Sequence, residues 1–173
     1  VDNTIVGGGQ LGGASLKLVN QVGGTVRATL SNALVLNTGA QAVVNNGLLE
    51  ATTGTLVIQG TTVDNSGGGD ILANGGNVNL QSATIVGGTL DTAGGGVFQA
   101  VDRGSLLDGR TSTVHNDGVV NILNNQYLTI AGIIDNTASI NLLSGGNDTR
   151  LVIDTAGATL SGGGIVSLSN NPA

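Results

Sequence analysis

The sequence predicts an all-β chain wound as a right-handed parallel β-helix, a β-solenoid, and three observations carry that expectation. A five-residue pattern recurs along the chain at a spacing of 20. The hydrophobic residues between recurrences alternate with period two, as half-buried strands do. Glycine makes up 31 of 173 residues, while aromatics are limited to Phe98 and Tyr127 and there is no Met, Cys or Trp. A core built from Val, Leu, Ile and Ala suits the narrow interior of a stacked coil better than a globule or a two-sheet sandwich, which buries larger side chains.

Taken in order, the recurring pattern is Val43-Val44-Asn45-Asn46-Gly47, Val63-Asp64-Asn65-Ser66-Gly67, Val114-His115-Asn116-Asp117-Gly118 and Ile134-Asp135-Asn136-Thr137-Ala138, with Val1-Asp2-Asn3-Thr4 as a fifth copy. A second pattern, an apolar pair followed by a Gly-containing turn, joins Ile85-Val86-Gly87-Gly88 to Leu106-Leu107-Asp108-Gly109 at a spacing of 21. Strands are expected at 14–18, 55–58, 77–80, 128–130 and 165–168, and no window has the composition or caps of a helix. At about 20 residues per coil the chain makes eight to nine coils. It is read as a single segment, 1–173, one unit of a longer repetitive protein or fibre.

Within the repeat, Asn stands where the coil bends and backbone groups lose their ladder partners, so Asn45 with Asn65, and Asn116 with Asn136, are predicted to form turn-associated amide ladders. The stretch 84–113 breaks the metre, since Val114 follows Leu106 by only eight residues. A longer coil or a bulging loop is expected there, and its residues Phe98, Arg103, Asp108 and Arg110 form a candidate binding loop for glycans or proteins within 94–113.

Charge and composition exclude several functions. Eleven acids against five bases give a net charge of −6, too little positive charge to neutralise a row of phosphates, so nucleic acid is not an expected partner. No apolar run reaches the roughly 20 residues of a membrane span, and direct membrane insertion is not expected. His115 falls in the slot of Val44, Asp64 and Asp135, an outward variable position, and the acids are dispersed beside Gly or Asn as turn residues are; no catalytic residues are expected. Gly145-Gly146-Asn147-Asp148 resembles a fragment of the nonapeptide repeat of calcium-binding β-rolls, but no consecutive copy follows, so no metal or other cofactor is expected. A Thr row of the kind that binds ice is missing, because Thr53-Gly54-Thr55 and Thr111-Ser112-Thr113 do not recur at the coil period.

The phrases Val1-Asp2-Asn3-Thr4-Ile5-Val6-Gly7-Gly8-Gly9, Gly54-Thr55-Leu56-Val57-Ile58, Thr62-Val63-Asp64-Asn65-Ser66-Gly67-Gly68 and Ala83-Thr84-Ile85-Val86-Gly87-Gly88-Thr89-Leu90 resemble the β-strand repeats of large bacterial exoproteins, the filamentous-haemagglutinin-like and autotransporter-adhesin-like proteins. That resemblance implies export, an extracellular or cell-surface location, and a role in adhesion, aggregation or biofilm scaffolding, with no catalytic residues to carry over. The expected partners are neighbouring units stacked end to end, as a covalent array or a head-to-tail polymer, with host or matrix glycans or proteins beyond them. Asn170-Asn171-Pro172-Ala173 followed by Val1 would continue the coil rhythm.

Overall fold

The computed structural model describes residues 1–13 and 15–169. The alternation of Leu34-Val35-Leu36-Asn37 or Leu56-Val57-Ile58-Gln59, each buried at every second position, sets the logic of the fold: one half of every strand faces inward and the other faces out. The first coil carries β1 (Thr4–Gly7), β2 (Gly9–Gly12) and β3 (Val19–Asn20). Three more coils repeat the triplet: β4 (Thr25–Ala28), β5 (Leu34–Asn37) and β6 (Val43–Asn45); β7 (Leu48–Ala51), β8 (Leu56–Gln59) and β9 (Thr62–Asp64); β10 (Asp70–Asn74), β11 (Val78–Gln81) and β12 (Thr84–Val86). After β13 (Gly88–Ala93) and β14 (Phe98–Ala100), long strands round a corner without a break. These are β15 (Ser105–Asn116), β17 (Tyr127–Asn136) and β19 (Arg150–Ser161), separated by β16 (Val119–Ile122) and β18 (Ser139–Leu142) and followed by β20 (Ile165–Leu168).

All strand pairs are parallel, each joining a strand to its successor one coil away, and together they build three faces. On the first face one column runs Thr4, Thr25, Leu48, Asp70, Thr89, His115, Asp135, Ser161. The second face is the eight-stranded sheet β2-β5-β8-β11-β14-β16-β18-β20. The third runs through β3, β6, β9 and β12 into the first halves of β15, β17 and β19. The chain is therefore a β-solenoid of about 7 turns with roughly 22 residues per turn.

The coil is longer and the coils fewer than the motif spacing suggests. Val43 to Val63 and Val114 to Ile134 are among the shorter steps, at 20 residues, whereas Thr89 stacks on His115 and Asp135 on Ser161, each 26 away. Register corrects the second pattern too: Ile85 pairs with Leu107, not Leu106. A slip of one would exchange inward and outward side chains. The segment 15–18 is not a strand, although Leu18 is buried and Leu16 packs against the core, so the inward alternation survives without the ladder. Ala14, and Asn170 to Ala173 with the continuation expected there, lie outside the described residues.

The interior is a set of vertical tracks. On the first face Ile5, Val26, Leu49, Ile71 and Leu90 stack above one another, flanked by Gly7, Ala28, Ala51 and Ala73. On the second face Leu34, Leu56, Val78, Phe98, Val120, Ile140 and Val166 form one track and Leu36, Ile58, Leu80, Ala100, Ile122, Leu142 and Leu168 another. Like residues on like residues give close packing at every level, and each is largely removed from water except at the ends.

Candidate functional site

The buried polar groups sit where strands turn from one face to the next. At the corner between the third and first faces, Asn20 Nδ2 donates to Asn45 Oδ1 at 2.8 Å and Asn45 Nδ2 donates to Asn65 Oδ1 at 2.9 Å. The same amides reach the backbone of the next strand, Asn20 to Leu48 O at 3.2 Å and Asn45 to Asp70 O at 3.1 Å. Three fully buried side chains thus replace the ladder bonds the corner removes. The ladder stops at Gly88, which lies against Asn65 and has a φ of +72°. Glycine is needed below it too: a Cβ on Gly47 would stand closer than 3.0 Å to Gln21 O and Gly24 O.

Asn116 and Asn136 form a second ladder, with Asn116 Nδ2 donating to Asn136 Oδ1 at 2.6 Å. Its place is a different corner, between the first and second faces, because Asn116 stacks on Leu90 and takes over an inward track that is apolar in earlier coils. The four motif asparagines are therefore chemically alike and topologically distinct. His115 likewise stacks on Thr89 and Asp135 rather than on Val44 or Asp64, and its Nδ1 lies 3.2 Å from Asp135 Oδ2. Asn20 was missed in the sequence; Leu18-Val19-Asn20 carries the apolar-x-Asn signal but its glycines come one and two residues later than in Val43 to Gly47.

The candidate binding stretch 94–113 is mostly strand, with turns at 94–97 and 101–104, and only Asp108 and Arg110 of its four named residues meet. Phe98 is fully buried, stacked between Val78 and Val120 on the second face. Residues 105–113 belong to β15, whose extra length is taken up as a register shift between Gly109 and Val114. A longer coil is present, and its three extra residues are accommodated between Gly109 and Val114, where the pairing with β17 is interrupted. Asp108 and Arg110 engage each other through two bonds, Nε to Oδ1 at 2.8 Å and Nη2 to Oδ2 at 2.7 Å. The bond from the Arg110 side chain holds the Asp108 carboxyl below the ordinary carboxylate value, and the same partner raises the guanidinium.

Arg103 lies at the corner between the second and third faces, in a cluster that the sequence did not single out. Its guanidinium lies over one side of the Tyr127 ring, 4.8 Å from the centroid, and Arg150 lies at 5.0 Å. The Tyr127 hydroxyl donates to Asp148 Oδ2 at 2.8 Å, and Arg150 Nε donates to Asp148 Oδ1 at 2.8 Å. Arg103 also donates to the carbonyl of Asn125 at 3.0 Å and to its side-chain oxygen. The bond from Arg150, and then that from Tyr127, lowers the Asp148 pKa; Arg150 is raised by the same carboxylate. Asp148, the acid of the calcium-like fragment, is thus engaged by an arginine and a tyrosine. The available signal was the pair of short Asp-Arg motifs, Asp102-Arg103 and Asp148-Thr149-Arg150.

Other charged groups are also turned toward protein partners. Glu50, 4% exposed, accepts from Arg27 Nε at 2.5 Å and from Asn74 Nδ2 at 3.0 Å. Among the described residues no group of three or more His, Cys, Asp or Glu could hold a metal ion, and no helix is long and apolar enough to cross a membrane. Surface depressions are shallow; one is lined by Leu142, Ser144, Asn147, Asp148, Thr149, Leu168 and Ser169 beside the last coil.

Three faces, amide-filled corners and a continuous aliphatic interior define a β-solenoid repeat protein. Comparison with protein-family models, with curated proteins and with solved structures gives no match.

Proposed function

We propose that this chain is a non-catalytic structural and adhesive module, a rigid acidic rod within a secreted or cell-surface bacterial protein of the filamentous-haemagglutinin-like or autotransporter-adhesin-like kind. Its work is reach and assembly, with neighbouring units stacked end to end. The observation that carries this reading is the last described coil. Its inward positions Ile153, Leu160 and Leu168 are 55%, 42% and 73% exposed, whereas Ile130, Ile134 and Leu142, one coil below, are buried. An apolar layer whose own strands end in unpaired backbone groups is a template for a further coil. A head-to-tail contact of this kind joins unlike surfaces and does not close, so it extends into a filament.

The test is cryo-electron microscopy and sedimentation of the chain over a concentration series. Thin filaments with an axial repeat of about 4.8 Å, lost when Leu168→Lys and Ile153→Lys are combined, are the expected result. A chain that stays strictly monomeric at high concentration overturns end-to-end stacking.

A further inference from the structure

Of the eleven acidic and five basic residues, none lies in the eight strands of the second face, whose sequences are GQLG, LVLN, LVIQ, VNLQ, FQA, VVNI, SINL and IVSL. The first face carries Arg27, Glu50, Asp70, Asp91 and Asp135, and the third Asp64, Asp108 and Arg150. The outward residues of the second face form a continuous uncharged track: Gln10, Val35, Val57, Asn79, Gln99, Asn121, Asn141 and Ser167. Beside it runs an amide ladder in which Asn37 donates to Gln59 at 3.2 Å and Gln59 donates to Gln81 at 3.1 Å. Asn141 donates to Asn121 at 3.0 Å within the main track.

We infer that this charge-free flank is a lateral self-association surface, on which a second copy of the chain packs face to face. Two copies of a chain with net charge −6 repel wherever their acidic faces meet, and the second face is the flank on which approach sets no charged strand residue against another. Amide tracks and short aliphatic side chains on a regular parallel sheet are the chemistry by which stacked sheets interdigitate. Eight strands about 4.8 Å apart and four residues about 3.3 Å apart give a face of roughly 500 Å². Two copies would bury about 1,000 Å², the lower edge of a specific interface, so one pair is weak and reversible. Lateral pairing is distinct from end-to-end stacking and turns single rods into bundles.

The absence of cysteine gives a direct test. Gln99→Cys, near the middle of the face, is expected to form a disulfide-linked dimer under mild oxidation at least about tenfold faster than Asp91→Cys on the first face. End-to-end stacking alone would hold two copies of position 99 about 35 Å apart, seven coils along the axis. In sedimentation, Asn79→Asp combined with Asn121→Asp is expected to weaken the dimer about a hundredfold, as like charges across an interface do, with an unchanged far-UV spectrum. Leu168→Lys, which weakens the end contact, leaves the lateral dimer intact. Equal cross-linking at positions 99 and 91, a dimer indifferent to the paired aspartates, or one abolished by Leu168→Lys would each overturn the inference.

Discussion

Replacing Asn45 by alanine removes the middle rung of the first amide ladder. The side chain accepts one bond from Asn20 and donates two, to Asn65 Oδ1 and Asp70 O, at 2.8, 2.9 and 3.1 Å. Each such bond contributes about 1 kcal/mol net, and a buried acceptor left without its donor, here Asn65 Oδ1, costs a further 1–3 kcal/mol or so. The sum is about 4–6 kcal/mol, equivalent to a fall in Tm on the order of 15 °C for a chain of this length. Guanidinium unfolding followed by far-UV circular dichroism measures it, with Asn32→Ala, an exposed turn substitution, as the control expected to stay within about 0.5 kcal/mol. Hydrogen exchange adds location, because coils of a solenoid loosen locally: the Asn46 and Asn65 amides, bonded to Asn20 O and Val86 O, lose protection first. The double variant Asn45→Ala/Asn65→Ala costs less than the two single losses added, since the orphaned acceptor leaves with Asn65. A loss for Asn45→Ala no larger than for Asn32→Ala would refute the claim that amide stacking holds this corner.

Phe98→Ala, at a fully buried position, is expected to cost about 3–5 kcal/mol, and Phe98→Leu less than about 1.5 kcal/mol, in the same unfolding assay. Gly109→Ala places a Cβ closer than 3.0 Å to Ile133 O in the next coil, whereas Gly95→Ala meets nothing within 4 Å and is strained only by its φ of +83°. The first therefore destabilises by more than about 2 kcal/mol and the second by about 1 kcal/mol, read as a difference in denaturation midpoint. The carboxyls of Asp108 and Asp148 are held below 3.8 by their arginines. Their contribution is present above that value and is lost as pH falls through the depressed folded-state pKa values. Acid unfolding of Asp108→Asn/Asp148→Asn is expected to show a smaller decline than wild type below about pH 4 and the same dependence above it.

Period-two alternation disclosed the strands because an inward residue at every second position is a local property, written into Leu34-Val35-Leu36 or Val78-Asn79-Leu80. Coil length was less legible. It depends on how many residues each corner takes, and the motif repeats at the shorter steps, so 20 stood in for 22. Phe98 shows a related limit: two residues after a run of three glycines it resembles a loop residue, yet its position two before Ala100 places it on the inward track of the second face. The Arg103–Tyr127–Arg150 stack was hidden because its members come from successive coils and share no common motif; only the register of the third face brings them together. The pairings of Asn45 with Asn65 and of Asn116 with Asn136 could be read from spacing, but not their assignment to different corners. That depends on the Thr89-to-His115 step, where an inward Leu is followed by an inward Asn.

The parallel ladders also have a mechanical consequence. Every inter-strand bond lies along the long axis of the rod, so tension applied between the two ends opens the bonds of one coil at a time rather than shearing all coils together. Each opened coil exchanges a stacking distance of about 4.8 Å for an extended length of some 75 Å. Under load the molecule would yield from its termini in steps of roughly 70 Å, each coil acting as a separate length of slack while the untouched remainder stays stiff.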